Sequence, residues 1–285
     1  MDQAMDLDLD QQQHDDAPMD SMAITSEERQ WALAIKQAVS ESEELSPIND
    51  FDLVQYAMIT QGNTEEALAR MEGMQSFREH YDIDNSAEQG VRCLQLAMDL
   101  LPRFLLHLDN CPDTNEAILA WDASVFYPDL VLAPCSQRGA DFYWKNYVSA
   151  SYYMYYCTQP NLASIRKGLT LLLDCGQVEW ENVSIDFERR MHDELRGYYP
   201  LKWNQLLAYN TAFIANVGWG LFKQFMNPHM RESLQLGCQV SGADSSTRLY
   251  ELFLQPSLEG AQINILRRAR DLLLMRAQNA QSFTL

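Results

Sequence analysis

The stretch that decides the fold is residues 198–234, YYPLKWNQLLAYNTAFIANVGWGLFKQFMNPHMRESL. Pro200 ends the helix before it, because proline disfavours a helical conformation in the preceding residue. The apolar run at residues 206–209 predicts a short strand. Residues 212–226 then carry apolar side chains around most of a helix, and an Asn-Pro pair ends that helix. The stretch therefore predicts a turn, a strand and a largely apolar helix.

The apolar helix at residues 212–226 has two interpretations. A helix that is apolar nearly all round is either buried between protein layers or faces something apolar that is not protein. Ordinary core packing accounts for the pattern. Gly218 and Gly220 favour the second interpretation, because glycine inside a helix costs about 1 kcal/mol relative to alanine and needs a reason such as a hinge. Both interpretations stay open at this stage.

The order of these elements resembles a known family. Tyr-Tyr-Pro, a strand, Asn210, an aromatic helix with Phe-Lys-x-Phe, and Asn-Pro are similar to the C-terminal half of the CRAL-TRIO lipid-binding domain. Upstream, residues 48–83 resemble that family's helical leader, residues 117–126 its first strand, and residues 169–176 its central strand. The resemblance implies an α/β fold, with a CRAL-TRIO-like sheet flanked by helices and a helical N-terminal leader.

Four segments are expected along the chain. They are a disordered acidic tail at 1–23, the helical leader at 24–84, a CRAL-TRIO-like lipid-binding domain at 85–245, and a C-terminal helical segment at 246–285. Residues 1–50 hold 13 acids and 2 bases, so they carry −11 of the net charge of −19. The rest of the chain is only mildly acidic and has no general basic surface, which argues against a nucleic-acid partner.

Helical periodicity extends through much of the remaining chain. Helices are expected at residues 26–39, at 84–107 with an interruption near Pro102, at 141–157 and at 184–196. The arginine-bearing segment 248–285 is also expected to be helical, and its arginines have two interpretations. They pair with nearby acids and helix ends, or a few of them touch anionic membrane lipids.

The tyrosine-rich helix at 141–157 is the second candidate for a binding surface. A tyrosine packs its ring against hydrocarbon while its hydroxyl reaches a ligand oxygen, although core packing explains these residues equally well. With the resemblance, the residues expected to form the cavity wall are Tyr143, Tyr147, Tyr152, Leu171, Leu173, Leu207 and Tyr209. Those expected on a gate helix that swings to admit a ligand are Phe213, Val217, Trp219, Phe222, Phe225 and Met226.

Several departures from the family pattern bear on the ligand. Relatives that transfer phosphatidylinositol carry a Glu, a Thr and a Lys that hold the inositol phosphate, and the matching positions here are Leu201, Met230 and Ser233. None of these offers a charged partner. The resemblance therefore implies that phosphatidylinositol is not the preferred ligand.

The sequence carries no signal of an enzyme, a metal site or a membrane span. It has no GxSxG, no glycine-rich phosphate loop and no HExxH, and Asp174 at the end of an apolar strand is interpreted as structural. The six cysteines form no CxxC pair, and the N-terminal residues do not resemble a signal peptide. We expect no cofactor and no metal, and a cytoplasmic protein with peripheral membrane contact.

The expected function is to bind a lipophilic molecule or lipid in an apolar cavity and to transfer or present it at membranes. The partners are then the ligand and, transiently, a membrane, while protein partners are left unspecified. The alternative is a non-enzymatic adaptor that keeps the fold without lipid transfer.

Overall fold

Helices and strands alternate along most of the chain. The computed structural model describes residues 23–42, 45–195, 198–211, 217, 220, 234–238, 248–253 and 257–285. Within these residues the helices are α1 (Ser26–Glu41), α2 (Asp50–Thr60), α3 (Thr64–Tyr81), α4 (Ala87–Leu100), α5 (Pro128–Leu132), α6 (Phe142–Cys157), α7 (Leu162–Lys167), α8 (Ile185–Leu195), α9 (Leu249–Phe253) and α10 (Leu258–Ser282). The strands are β1 (Leu105–Asn110), β2 (Ala117–Asp122), β3 (Leu169–Asp174), β4 (Trp203–Tyr209) and β5 (Leu234–Cys238).

The five described strands form one mixed sheet in the order β1-β2-β3-β4-β5. β1 pairs with β2 antiparallel, and every other pair is parallel. All six residues of β3 are buried, as expected for a central parallel strand that is covered on both faces. The helices between β2 and β3 and between β3 and β4 supply the crossovers that parallel strands need.

The two faces of the sheet bury different clusters because side chains alternate along each strand. On one face, here called the α6 face, Leu119, Leu171, Leu173, Leu206 and Ala208 join the large core that contains α4 and α6. The opposite face, here called the α9 face, has a smaller cluster that α9 and the start of α10 help to cover. This cluster includes Leu106, Ala120, Leu172, Tyr209, Leu249 and Ala261, with Leu207 packed against it.

The helical leader has a core of its own. Residues of α1, α2 and α3 pack there with Leu162 and Ile165 of α7, and Phe283 and Leu285 at the C-terminus lie against the same cluster. α10 packs along β1, the edge strand, and against α4 and α6. The leader and the C-terminal helix are therefore both attached to the sheet domain.

The helix starts follow from local chemistry. Side chains of Thr25, Asn49 and Ser86 accept hydrogen bonds from the first turns of α1, α2 and α4, and Thr25 forms a capping box with Glu28. Asn63 caps α3 in the same way, through a hydrogen bond from the backbone of Glu66. Each such cap stabilises its helix by about 1 kcal/mol.

The structure confirms the α/β fold with helices flanking the sheet and a helical N-terminal region. One prediction is wrong: the segment 84–107 is not a single interrupted helix. α4 ends at Leu100, Arg103 has a left-handed backbone with φ of 71°, and β1 begins at Leu105. The strand expected at 117–126 is consequently the second of the sheet, not the first.

The same strand also ends earlier than expected. It stops at Asp122, whose carboxylate accepts a hydrogen bond from the Ser124 backbone and starts a short 3₁₀ helix, Ala123–Val125. Residues 1–22 of the predicted acidic tail lie outside the described residues.

Candidate ligand-binding site

The middle of α6 meets the sheet through aromatic and aliphatic side chains. Tyr147 is 4% exposed, and its ring centroid lies 5.5 Å from those of both Phe126 and Phe187. Leu171 and Leu173 of β3 belong to the same core on the α6 face. The structure thus brings together three of the predicted wall residues in one apolar region, here called the α6 interior.

The other four predicted wall residues have different surroundings. Leu207 and Tyr209 are on the α9 face of the sheet. Tyr143 lies in the first turn of α6, partly exposed, with its ring 5.4 Å from that of Phe142. Tyr152 belongs to the same large core as Tyr147, but its hydroxyl reaches the leader cavity side, where it donates a 2.6 Å hydrogen bond to Asn85. The seven residues therefore do not share one surface, and their role in binding stays a prediction.

The predicted gate helix lies almost entirely outside the described residues. This applies to Phe213, Trp219, Phe222, Phe225 and Met226, and also to Met230 and Ser233. Val217 is described, and its side chain is 37% exposed. Leu201 is partly buried and packs against the large core. The gate motion stays a prediction.

Sequence reasoning missed Glu188, an acid on the buried side of α8. Its neighbour Phe187 packs against the rings of Trp144 and Tyr147. Burial raises the pKa of Glu188 to about 7. The charge of Glu188 also contributes to raising the pKa values of Tyr147 and Tyr155, for which burial is the main cause, so the carboxyl group lies near these phenols. The signal was available: Ser184, Phe187, Glu188 and Met191 fall on one stripe of α8 with helical spacing.

The raised pKa of Glu188 predicts how stability depends on pH. In the unfolded chain the carboxyl ionises near its ordinary pKa of 4.5, whereas in the folded protein it stays protonated until about pH 7. The folded state therefore binds more protons in this window, and stability falls as the pH rises through it. Replacing Glu188 by glutamine is expected to remove this loss, which is on the order of 2 kcal/mol.

Urea unfolding at pH 5.0 and pH 7.5 measures the effect of this replacement. The gain in stability of Glu188→Gln over the parent should be larger at pH 7.5. Glu181→Gln, on a neighbouring exposed position, is the control and should show no such difference. An equal effect of Glu188→Gln at both pH values would contradict the assignment.

A cavity, here called the leader cavity, lies between the leader, α6 and α10. Its volume is about 440 Å³. Its wall includes Asp52, Gln55, Arg78, Tyr152, Tyr156, Tyr199 and Arg276.

The buried Arg276 side chain dominates one side of the leader cavity. It donates to Asp52 at 2.6 Å, and also to the Gln55 side chain and the Gln159 carbonyl. Its guanidinium carbon lies 4.1 Å from the ring centroid of Tyr156. Burial lowers the pKa of Arg276, but Tyr156 and Asp52 raise it by more, so the group is charged in the folded protein.

A third buried polar group joins the ends of β2 and β3. Arg248 donates to Asp174 and to Asp122 at 2.9 Å each. Asp174 also accepts a 2.7 Å hydrogen bond from the backbone of Leu249, and both carboxylates are buried. Burial raises the pKa of Asp122. These contacts fit the structural role predicted for Asp174.

Three of the C-terminal arginines form salt bridges with acids. Arg248 and Arg276 form the buried pairs above, and Arg268 pairs with Asp109 at 2.5 Å. Pairing with nearby acids is therefore the interpretation that these three residues follow. Arg267 and Arg270 are exposed on α10.

Comparison with known families agrees with this architecture. Residues 138–240 match the family model of the CRAL/TRIO domain. The match agrees with the resemblance found in the sequence. The matched segment contains α6, α7, β3, α8, β4 and β5.

A solved structure titled "Crystal structure of Sfh5" is similar over 86% of this chain and 97% of that chain, with 13% identity and a TM-score of 0.49. The search of curated proteins found no significant match. None of the helices in the described residues is long and apolar enough to cross a membrane.

Proposed function

We propose that this protein binds a lipophilic molecule in its CRAL/TRIO domain, between the α6 face of the sheet and helices α6 and α8. The observation that carries the proposal is the α6 interior. Tyr147, Leu171 and Leu173 there belong to one apolar core, inside the segment that matches the family model. The match to the CRAL/TRIO family model supports a lipophilic ligand as the class.

Burial of hydrocarbon supplies enough free energy for such a ligand without a charged head-group site. Each buried CH₂ group contributes about 0.8 kcal/mol, so a tail of about ten methylenes gains on the order of 8 kcal/mol before the entropic costs of binding. This agrees with the absence of charged side chains at Leu201, Met230 and Ser233, the positions that hold inositol phosphate in relatives.

Two polar groups border the α6 interior and bear on the polar end of the ligand. The indole Nε1 of Trp121 is buried and has no hydrogen-bond partner among the described residues. Glu188 is a partly buried carboxyl, and its burial raises the pKa to about 7. A neutral end group, such as a hydroxyl or a carbonyl, pairs with such groups at a lower desolvation cost than an ion does. We therefore favour a ligand with a neutral polar end.

Transfer or presentation at a membrane is the second part of the proposal. Exposed apolar side chains on α5 and before α8 support it: Leu130 is 44% exposed and Trp180 is 55% exposed. The two segments lie together, because Asn182 donates hydrogen bonds to the carbonyls of Ser124 and Phe126. A tryptophan at such a position suits the boundary between water and lipid. The cytoplasmic location stays a proposal.

The alternative is an adaptor that keeps the fold with a filled interior. The ring contacts of Tyr147 with Phe126 and Phe187, at 5.5 Å each, favour this alternative, since they also describe a packed core. The two functions differ in whether the α6 interior accepts a ligand. Mass spectrometry of an organic extract of the purified protein separates them.

Uptake of a fluorescent acyl probe from vesicles tests where the ligand binds. Ala208 is a small, buried residue on the α6 face of β4. Ala208 pairs in register with Leu173, so phenylalanine at position 208 fills space beside Leu173. We expect Ala208→Phe to weaken probe binding about tenfold or more, because added side-chain volume displaces the ligand from the interior.

Leu207→Phe is the matched control, since it adds volume to the same strand on the α9 face. It should bind the probe within about twofold of the parent. Ala208→Val is the smaller variant to use if circular dichroism shows that Ala208→Phe is unfolded. Equal losses of probe binding in Ala208→Phe and Leu207→Phe would contradict the proposed location of the ligand. No uptake of the probe by the parent would favour the adaptor.

A further inference from the structure

The leader cavity contains polar atoms whose hydrogen-bonding capacity the described residues do not use. These atoms are the Nε of Arg78, the Nε of Arg276 and the hydroxyl oxygen of Tyr199; all three are buried, and all three residues line the cavity. They come from three different parts of the chain: α3, α10 and the segment before β4. Leaving a buried polar group without a partner costs about 1–3 kcal/mol.

All three groups act as donors. The Nε of an arginine carries a hydrogen and cannot accept. Burial raises the pKa of Tyr199 well above its ordinary value, so its hydroxyl keeps its proton and can donate it. Arg276 is 1% exposed, so its Nε is not served by bulk water. A molecule that satisfies these atoms must therefore bring acceptor oxygens.

The charges around the cavity favour an anion in its interior. Arg276 is compensated by Asp52 at 2.6 Å. Arg78 forms no salt bridge with a carboxylate of the described residues. Its positive charge opposes the rise in the pKa of Tyr152, which burial causes, so the guanidinium lies near this cavity wall. The interior thus contains one arginine whose charge is not compensated by the described chain.

The acids at the rim are Glu79, Asp82 and Asp84, and two of them already accept hydrogen bonds from the protein. Glu79 accepts from the Gln75 side chain at 3.1 Å. Asp84 accepts from the Ser86 backbone at 2.7 Å and from Tyr153 at 3.4 Å. These carboxylates lie on exposed residues. Salt screens exposed charges. These carboxylates therefore reduce the attraction of an anion from a distance, but they oppose its direct contact with Arg78 less.

We propose that the leader cavity binds a phosphate group, held by Arg78, Arg276 and Tyr199. Three donors from three elements match an acceptor with oxygens in more than two directions, which a tetrahedral phosphate provides and a planar carboxylate does not. Arginine side chains also suit phosphate geometry. The proposal goes beyond the lipophilic site, because it concerns a different cavity and a polar ligand. The phosphate belongs to a soluble phosphate monoester or to a lipid head group.

Calorimetric titration of the full chain with glycerol 3-phosphate tests this site. The parent is expected to show saturable binding with one site per chain. Arg78→Met should bind about tenfold more weakly or worse, because it removes the uncompensated cation. Tyr199→Phe removes only the hydroxyl and should weaken binding severalfold. Arg70→Met is the matched control: it removes the same charge from α3, but Arg70 pairs with Glu66 and does not line the cavity.

The source of the phosphate is decided by a second titrant, short-chain dihexanoyl phosphatidic acid. A lipid head group is indicated if this titrant binds about tenfold more tightly than glycerol 3-phosphate, and a soluble phosphate if the two bind equally. Absence of saturable binding of both titrants by the parent would overturn the proposal. Equal affinities of the parent and Arg78→Met would also overturn it, and if that variant does not fold, equal affinity of Tyr199→Phe would do so. The Ala208→Phe variant is expected to bind glycerol 3-phosphate, which has no acyl chain, like the parent, and this keeps the test separate from that of the apolar site.

Discussion

Replacing Arg248 by methionine is expected to lower the free energy of unfolding by about 3–5 kcal/mol at pH 7. The variant leaves two buried carboxylates, Asp122 and Asp174, without the cation that lies 2.9 Å from each. Asp122 already has one carboxylate oxygen that is buried and has no hydrogen-bond partner among the described residues. Two unpaired carboxylates at the ends of adjacent strands repel each other, and burial prevents water from compensating them.

The pH dependence distinguishes this electrostatic effect from lost packing. Burial raises the pKa of Asp122, and without Arg248 the folded state favours its protonated form more strongly, so the loss should shrink as the pH falls from 7 toward 5. Urea unfolding at both pH values measures it. Arg189→Met is the control: its pair with Asp186 is exposed, with side chains 59% and 85% accessible, and should be worth less than about 0.5 kcal/mol. A loss for Arg248→Met that is the same at both pH values would contradict the assigned cause.

Local sequence patterns were sufficient to predict an element when neighbouring residues in the sequence marked where it begins and ends. The run Leu169–Asp174 lies between Gly168 and Gly176, and its apolar residues predicted the central strand that the structure shows. β1 was missed because Leu105–Asn110 continues a helical spacing from α4 across Pro102. What makes it a strand is its pairing with β2, a contact that no local pattern encodes.

The placement of the tyrosines on α6 shows a second limit. Tyr147 and Tyr152 were both predicted to line one cavity, but five residues correspond to a rotation of about 140° around a helix. Tyr147 accordingly faces the α6 interior, while Tyr152 faces the leader cavity. Spacing alone could show that the two point to different sides, but the partner on each side depends on how α6 packs against α4, the sheet and the leader.

Buried arginines were the hardest features to predict, because their partners lie far away in the sequence. Arg248 and Asp122 are separated by 126 positions, and Arg276 and Asp52 by 224. The sequence supplied a general expectation that these arginines pair with acids. It supplied neither the identity of the acids nor the extent of burial, which depends on the docking of α9 and α10.

Arg276 attaches the C-terminal helix to the leader, and this makes it a second position of large effect. It lies on α10 and donates to Asp52 and Gln55 of α2, while its other amino group reaches the Gln159 carbonyl after α6. Gln55 in turn donates to Gln159 and, at 2.8 Å, to the Pro200 carbonyl. One guanidinium group thus connects three parts of the chain. Its fork of donors gives this geometry, which a lysine cannot reproduce.

Replacing Arg276 by methionine is therefore expected to cost about 3 kcal/mol of unfolding free energy, because it leaves the Gln159 carbonyl and the Gln55 side chain buried with fewer donors. Arg276→Lys keeps the charge and should recover less than half of this loss. The control is Arg268→Met on the same helix, whose pair with Asp109 is partly exposed and should be worth less than about 1 kcal/mol. Hydrogen exchange locates the effect: amides of α2 should lose protection in Arg276→Met, while those of β3 keep theirs, since the leader and the sheet have separate cores. Equal protection of α2 in the parent and in Arg276→Met would show that the apolar contacts of the leader, and not this arginine, hold the C-terminal helix in place.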